Sequence, residues 1–316
     1  MSRKDPDRGL HGDPLQTIAD ASEQGGDAVL AVITGVDGPS YRPLGAYMAI
    51  LPGGARVGTL SSGCIEQDIV LHAAEALDSG RPKTVRYGLG SPFIDIKLPC
   101  GGGLEILLLP RPEQRVLSEL VMRQAARRPV TLAIAPDHGG LEIRETGATG
   151  RDGDRFLVRI MPELYFYVFG KGPEASTFAA LVQSAGYPNM VLSPDQETLE
   201  RAHQAGSPTC RLKAPEMPVE LLADRWSAVV LFFHDHEWEP PILAGALRSD
   251  AFYIGAQGSR RARDARMLAL QEAGIGVADL ARLRGPIGLV PSVRDARTLA
   301  VSVLAEILSE HQKQVR

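Results

Sequence analysis

A strand that runs straight into a glycine-rich turn and then into a helix constrains the fold of this chain more than any other feature. The segment YFYVFG ends at Gly170, and KGPEAS follows it. Gly170 permits a tight turn, Gly172 lets a backbone approach a diphosphate, and Ala175 takes the small position where helix meets strand. Pro173 suits the first turn of a helix, where its missing N–H costs nothing. The pattern predicts a nucleotide-type α/β fold, with a plain structural turn as the alternative.

Strands alternate with helices from about Leu164 onward, which is the signature of a parallel sheet. The predicted strands are YFYVFG, NMVLS, TCRLK, AVVLFFH and AFYIGA, and the predicted helices cover 173–185, 240–248, 259–273 and 294–310. Together they predict a doubly wound, Rossmann-like parallel-sheet domain over residues 163–316.

The first half of the chain, residues 1–162, predicts an α+β domain with a mixed or antiparallel sheet. Helices are predicted over 15–21, 64–77 and 113–126, and strands over 28–34, 84–87, 93–98, 104–109, a hairpin turning at Gly53 and Gly54, and TLAIAP with two more short strands after it. A length of 316 residues also favours two domains, because single cores stop growing at about 250 to 300 residues.

Charge and apolar patterning exclude several classes of protein. The 34 basic and 38 acidic side chains leave a formal charge of −4, so no basic excess favours binding to nucleic acid. No apolar stretch is long enough for a signal peptide or a membrane span, and we expect a cytoplasmic protein without membrane association. Three cysteines cannot form a disulfide framework, so their chemistry is that of the thiol or thiolate.

The sequence does not decide which nucleotide binds, because the usual ribose-binding acid is missing from its expected position. The strand NMVLS ends at Ser193, where an NAD-binding domain places Asp or Glu, and Asp195 lies two residues further on. Three alternatives follow: Asp195 substitutes for the acid, NADP or another nucleotide binds, or the crevice holds no dinucleotide.

Two further segments end strands of the predicted parallel sheet. HDHEWE places His234, Asp235, His236 and Glu237 at the carboxyl edge, where they could ligate a metal, where His234 could act as acid or base, or where they simply form a polar cap. AFYIGAQGSRR opens a helix after Gly258, Ser259 and Arg260. Free N–H groups at a helix N-terminus and guanidinium donors suit a phosphate, although a solvated basic face is the alternative.

Two cysteines of the first half lie in glycine-rich segments. Cys64 stands in SSGCIE, with Glu66 in the first turn of the predicted helix, and Cys100 stands in PCGGG. Together with Arg42 in GPSYRPLG they indicate a site for a soft atom and an anionic group. Cys210, inside the strand TCRLK, is predicted to be a core residue.

These segments together resemble the XdhC-type accessory proteins of xanthine dehydrogenase and carbon monoxide dehydrogenase. The segments that carry the resemblance are GPSYRPLGAYM, SSGCIE, CGG, the loop Gly170 to Ala175, HDHE and YIGAQGSR, in this order along the chain. The departures are Ser62 in place of the family's Gly, Tyr41 in place of Pro, Ser193 in place of an acid, and a changed final motif over 288–300.

The resemblance implies an accessory protein, without turnover of its own, for a molybdopterin-type molybdenum cofactor. It would protect the cofactor while a cysteine desulfurase helps to install a sulfur, and deliver it to a xanthine dehydrogenase-type molybdenum hydroxylase. A homodimer is expected by the same analogy. By this resemblance, Cys64 and Cys100 would contact the molybdenum. The residues predicted to bind the cofactor are Arg42, Ser62, Gly63, Cys64, Glu66, Cys100, Gly101, Gly170, Gly172, His234, Asp235, His236, Gly258, Ser259 and Arg260.

Two other functions remain open from the sequence. The α/β half alone would suit an NAD(P)-dependent oxidoreductase. Cys64 and Cys100 would suit a redox-sensing module if their sulfurs lie close enough to bridge.

Overall fold

The computed structural model describes residues 12–63, 65–91, 98, 101–234 and 237–315. Residue contacts divide the chain into two compact units, Met1–Pro162 and Glu163–Arg316. Each unit has its own buried hydrophobic clusters.

The first unit contains an antiparallel sheet with helices on both faces. The order of its described strands is β3-β2-β1-β5-β4, and all neighbours are antiparallel. The elements are α1 (Pro14–Glu23), β1 (Val29–Asp37), β2 (Tyr47–Ile50), β3 (Arg56–Val57), α2 (Glu66–Ser79), β4 (Lys83–Gly88), β5 (Gly103–Pro110) and α3 (Gln114–Ala125). The predicted strand over 93–98 falls mostly outside the described residues.

Strand β1 is a continuous apolar run because both of its faces are covered. Val29 and Ile33 belong to the cluster that includes side chains of α2. Leu30 and Val32 belong to the cluster that includes α1 and α3. A strand buried on both faces loses the alternation of apolar and polar residues that marks a half-exposed strand.

A second antiparallel sheet completes the first unit. Its described strands are β6 (Val130–Ile134), β7 (Leu141–Arg144), β8 (Gly150–Asp152) and β9 (Arg155–Ile160), in the order β7-β6-β9-β8. Three strands therefore follow β6 where the sequence predicts two. Strand β8 escapes prediction because its residues are polar and largely exposed at the sheet edge.

The second unit is a doubly wound parallel sheet, and the predicted Rossmann-like fold is confirmed. Its described strands take the order β12-β11-β10-β13-β14-β15, which is the 3-2-1-4-5-6 order of a Rossmann fold. The elements are β10 (Tyr165–Gly170), α4 (Pro173–Ser184), β11 (Asn189–Ser193), α5 (Gln196–Gln204), β12 (Thr209–Arg211), β13 (Ser227–Phe232), α6 (Glu239–Leu247), β14 (Tyr253–Ala256), α7 (Arg260–Glu272), α8 (Val277–Leu280), β15 (Leu283–Arg284) and α9 (Ala296–Val315).

Three short elements of this unit, α5, α8 and β15, are absent from the sequence prediction. Helix α5 is nine residues long and buries only Thr198, Leu199 and Ala202. In the first unit, α2 begins at Glu66 and not at Cys64, since Ile65 has φ −125° and ψ −4°, outside the helical region.

Within the residues that the structure describes, no helix combines the length and the apolar character needed to cross a membrane.

Candidate functional site

The turn that carries Cys64 is built around the buried carboxylate of Glu66, which is 3% exposed. Its Oε1 accepts hydrogen bonds from Thr59 Oγ1 at 2.6 Å, Leu60 N at 3.1 Å and Ser61 N at 2.8 Å. Its Oε2 accepts from Ser61 Oγ at 2.7 Å and from Ile65 N at 3.2 Å. Cys64 itself lies outside the described residues.

These hydrogen bonds keep Glu66 ionised. Burial alone raises the pKa of its carboxyl, but donors from Thr59, Ser61 and Gly63 outweigh burial and lower the pKa to about 2. Both oxygens are therefore occupied by donors of the turn, whereas the sequence predicts Glu66 as a contact of the cofactor. The predicted contacts Ser62 and Gly63 are exposed on the outer side of the same turn.

The loop that carries Arg42 adjoins the glycine run that follows Cys100. A Cβ atom added to Gly102 would lie 2.1 Å from the carbonyl oxygen of Pro39 and 2.8 Å from that of Asp37. Only glycine allows this approach. Arg42 and Gly101 are exposed, and Cys100 lies outside the described residues.

Side chains that flank all three predicted segments share one hydrophobic cluster. It contains Leu60 and Ile65 on either side of Cys64, Ala46 after Arg42, and Leu98 and Leu104 around Cys100. Neighbours of Arg42, Cys64 and Cys100 therefore belong to one hydrophobic cluster. The third cysteine, Cys210, is a half-buried free thiol that packs against a cluster of the second unit.

In the second unit, the turn at Gly170 and the end of β13 lie side by side at the carboxyl edge of the sheet. A Cβ atom on Gly170 would lie 2.5 Å from Phe232 O, so this glycine is needed for packing. His234 is largely exposed, with its Nε2 3.7 Å from Glu174 Oε1 and 3.3 Å from Gln257 Nε2. The predicted partners Asp235 and His236 lie outside the described residues, and among those described no three ligating side chains cluster for a metal.

The turn after β11 uses its polar groups internally. Asp195 is the N-cap of α5, and its Oδ2 accepts from Thr198 N at 2.8 Å and from Thr198 Oγ1 at 2.6 Å. The same Thr198 hydroxyl accepts from Gly172 N at 2.8 Å. Ser193 is fully buried, and its Oγ accepts from Asp195 N at 3.0 Å.

The predicted anion loop before α7 is exposed at Gly258, Ser259 and Arg260. Ser259 Oγ caps the helix by accepting from Ala262 N at 3.2 Å. Within the described part of the chain, no hydrogen bond uses the backbone amides of residues 258–261. These amides can donate to an anion.

A buried ion pair supports that loop from below. Arg266 and Glu239 are each 2% exposed at the side chain, and Arg266 Nη2 lies 2.9 Å from Glu239 Oε2. The same Nη2 donates to Gln257 O at 2.7 Å, which ties α6, α7 and the loop together. Neither this pair nor the role of Thr198 is predicted from the sequence, because their partners are 27 and 26 residues away along the chain.

Comparisons with known proteins agree over both units. Residues 166–307 match a family model described as the XdhC Rossmann domain, and residues 21–88 match that of the XdhC and CoxI family. The chain is 33% identical to the molybdenum cofactor insertion chaperone PaoD of Escherichia coli (strain K12), over 95% of this chain and 89% of PaoD.

Two further relatives cover almost the whole chain. A protein of Bacillus subtilis (strain 168), described as a probable xanthine dehydrogenase subunit, is 24% identical over 95% of this chain and 98% of that protein. A crystal structure described as a xanthine dehydrogenase from Bacillus halodurans has the same fold, with a TM-score of 0.77 at 20% identity over 96% of both chains. On the motifs, the fold and these matches, the chain belongs to the XdhC and CoxI family.

Proposed function

We propose that this protein is a chaperone that binds a molybdopterin-type molybdenum cofactor and inserts it into a molybdenum hydroxylase, without turnover of its own. The observation that carries the proposal is the similarity to PaoD, which extends through both units and not only through the widespread Rossmann domain. A fold alone would not support a function, since Rossmann domains serve many activities.

Cys64 and Cys100 are proposed to contact the molybdenum end of the cargo. Thiolates are ligands that soft metal centres prefer, and neighbours of both cysteines pack into the same hydrophobic cluster. Arg42 is exposed on the adjoining loop, where its guanidinium can pair with an anionic group. Ser62, Gly63 and Gly101 form the accessible backbone around the two thiols, and Glu66 holds the turn in shape.

The loop Gly258–Arg260 is proposed to hold a phosphate of the pterin or of an attached nucleotide. Its unused amides and the exposed side chain of Arg260 supply the donors and positive potential that a phosphate needs. His234 lies at the same edge of the sheet, near Gln257. Asp235 and His236 are retained as proposed contacts on sequence grounds alone.

The proposed partners are a xanthine dehydrogenase-like hydroxylase as client, a cysteine desulfurase that supports sulfuration of the cargo, and a second copy of this chain. The proposed location is the cytoplasm, where reducing conditions keep cysteine thiols free.

Retention of pterin tests the proposal. The protein is purified anaerobically from cells that make the cofactor, and released pterin is oxidised and quantified by fluorescence. We expect wild-type protein to carry pterin, Cys64→Ser and Cys100→Ser variants to lose most of it, and the matched control Cys210→Ser to keep it.

Transfer to a client is measured by incubating loaded protein with a cofactor-free hydroxylase and following the appearance of its activity. Wild-type protein that carries no pterin and binds none when it is added would contradict the proposal. Loss of pterin in the Cys210→Ser variant alone would contradict the assignment of the two thiols.

A further inference from the structure

We propose that the glycine loop Gly170–Ala175 is closed to the diphosphate of a dinucleotide by the chain's own groups, and that Thr198 and Glu174 are the specificity-determining residues that close it. The loop has the sequence and the fold context of a dinucleotide site. Three of its successive positions nevertheless offer no free amide, and its first helical turn carries the carboxylate of Glu174. This inference goes beyond the proposed chaperone function and does not depend on the identity of the cargo.

The backbone donors of the loop are used up or missing at three successive positions. Lys171 N donates to Phe232 O at 3.1 Å. Gly172 N donates to Thr198 Oγ1 at 2.8 Å. Pro173 has no N–H at all. A diphosphate approaching the turn would therefore find no free amide at residues 171–173.

Thr198 is held where it must be to occupy the amide of Gly172. Its side chain is buried, with 1% of the residue exposed, and its hydroxyl proton goes to Asp195 Oδ2 at 2.6 Å. An oxygen lone pair of that hydroxyl then accepts from Gly172 N. The hydroxyl oxygen thus takes the hydrogen-bonding position that a phosphate oxygen would take.

Asp195 determines which way the Thr198 hydroxyl donates and accepts its hydrogen bonds. Hydrogen bonds from the side chain and backbone of Thr198 hold the pKa of Asp195 below its usual range, so the carboxylate is ionised and only accepts. Asp195 also caps α5. Its Oδ2 is therefore committed to Thr198. The Ser193 hydroxyl accepts from the backbone of Asp195 and is fully buried, so it cannot reach a ribose.

Glu174 places negative charge where a diphosphate would lie. It stands in the first turn of α4 with its side chain 23% exposed. Its Oε2 would be 3.6 Å from a Cβ atom on Gly172, and its Oε1 is 3.7 Å from His234 Nε2. A carboxylate already satisfies the positive end of the helix, and it repels a second anion at this short range.

The roles predicted for Gly170 and Gly172 as cofactor contacts change accordingly. Gly170 allows β10 and β13 to pack, and Gly172 is a partner of Thr198. A phosphate-bearing ligand is directed instead to the loop before α7, whose amides have no partner within the described residues.

Titration with NAD⁺ and NADP⁺, followed by calorimetry on cofactor-free protein, tests the inference. We expect wild-type protein to bind both more weakly than about 1 mM, and the double variant Thr198→Ala/Glu174→Gln to bind at least one of them at least about tenfold more tightly, because an amide is freed and a repulsive charge removed. Two matched controls are expected to behave as wild type: Thr198→Ser, which keeps the hydroxyl, and Glu200→Gln, an exposed change on α5.

Circular dichroism and thermal melting establish that each variant is folded. If Thr198→Ala unfolds the domain, Glu174→Gln alone decides, with an expected gain of about threefold. Tight dinucleotide binding by wild-type protein would overturn the inference, and so would a folded variant without any gain. Pterin retention is measured separately on the same proteins, so failure of the closed-loop inference and failure of the chaperone proposal give different results.

Discussion

The cysteine turn of the first unit and the loop before α7 in the second are both exposed, glycine-containing turns, yet their backbone amides are used differently. In the cysteine turn the amides of Leu60, Ser61 and Ile65 converge inward on one buried carboxylate. In the α7 loop the amides of residues 258–261 have no partner within the described residues, and the buried charge beneath is the guanidinium of Arg266, paired with Glu239.

Glycine content alone therefore does not decide what a turn can bind. A turn whose amides bond to a buried carboxylate leaves its side chains to contact a ligand, which is the role we propose for Cys64. A turn whose amides have no partner in the described part of the chain offers hydrogen-bond donors, which suit an anion.

The largest effect on stability is expected at the buried pair of Arg266 and Glu239 beneath the α7 loop. Arg266→Ala removes the guanidinium that pairs with the buried carboxylate of Glu239, so we expect a loss of about 3 to 5 kcal/mol in the free energy of unfolding. Chemical denaturation measures it, with Arg261→Ala on the exposed side of the same helix as control. A loss below about 1 kcal/mol would show that the loop does not depend on buried charge.

The stability that the Glu66 carboxylate gives to the cysteine turn is expected to depend on pH. Because the pKa of Glu66 falls to about 2 in the folded state from an ordinary value of 4.5, its carboxylate contributes stability above pH 4.5 that is lost as pH falls toward 2. The difference between wild type and Glu66→Gln should be about 3 kcal/mol at pH 7 and about half that at pH 3.

Urea denaturation at both pH values measures this difference, and Glu23→Gln, which changes an exposed carboxylate, serves as control. If the difference between the two proteins is the same at pH 7 and pH 3, the stability of the turn does not depend on the charge of Glu66.

An intermediate effect is expected for binding at the α7 loop. Arg260→Ala removes a charge-assisted donor beside the open amides and should weaken the binding of inorganic phosphate about tenfold. Arg263→Ala, one turn further along and equally exposed, should change it less than about twofold. Equal effects of both variants in a calorimetric titration would indicate general attraction to a basic helix rather than a site at the loop.

The weakest effect is expected at Ser62, whose φ of 63° lies in the left-handed region. Ser62→Gly should stabilise the protein by about 0.5 to 1 kcal/mol, since the strain at a non-glycine residue is relieved. Thermal melting measures this change. Destabilisation would mean that the turn adopts this geometry only with its serine.

Much of the fold follows from local patterns, because strand, turn and helix signals in the second half lie next to each other along the chain. The segment Gly170–Ala175 and the alternation after it suffice for the parallel sheet. Helix α5 escapes prediction because its boundary depends on one capping residue, Asp195, whose place in the sequence equally suits a substitute ribose ligand. The same carboxylate fits either role, and only its contact with Thr198 distinguishes them.

The residue types of the site could be predicted from the sequence, but the hydrogen-bond partners and the burial of their side chains could not. That Glu66 stands in the first turn of a helix follows from its position after Cys64. That its carboxylate turns back under residues 59–65 depends on Thr59 and Ser61 as donors, a tertiary arrangement that no periodicity records. Arg266 gives still less signal, since an arginine in a basic helix predicts an exposed side chain.

The three glycines after Cys100 are not equivalent, and this difference limits how the chain can change over evolutionary time. Nothing lies within 4 Å of a Cβ at Gly101, whose φ is 72°, so asparagine can replace it at modest cost. At Gly102 a single methyl group would collide with the carbonyl oxygen of Pro39 at 2.1 Å. We therefore expect substitutions to be tolerated at position 101. Position 102 is expected to remain glycine for as long as the backbone of the neighbouring loop keeps its conformation.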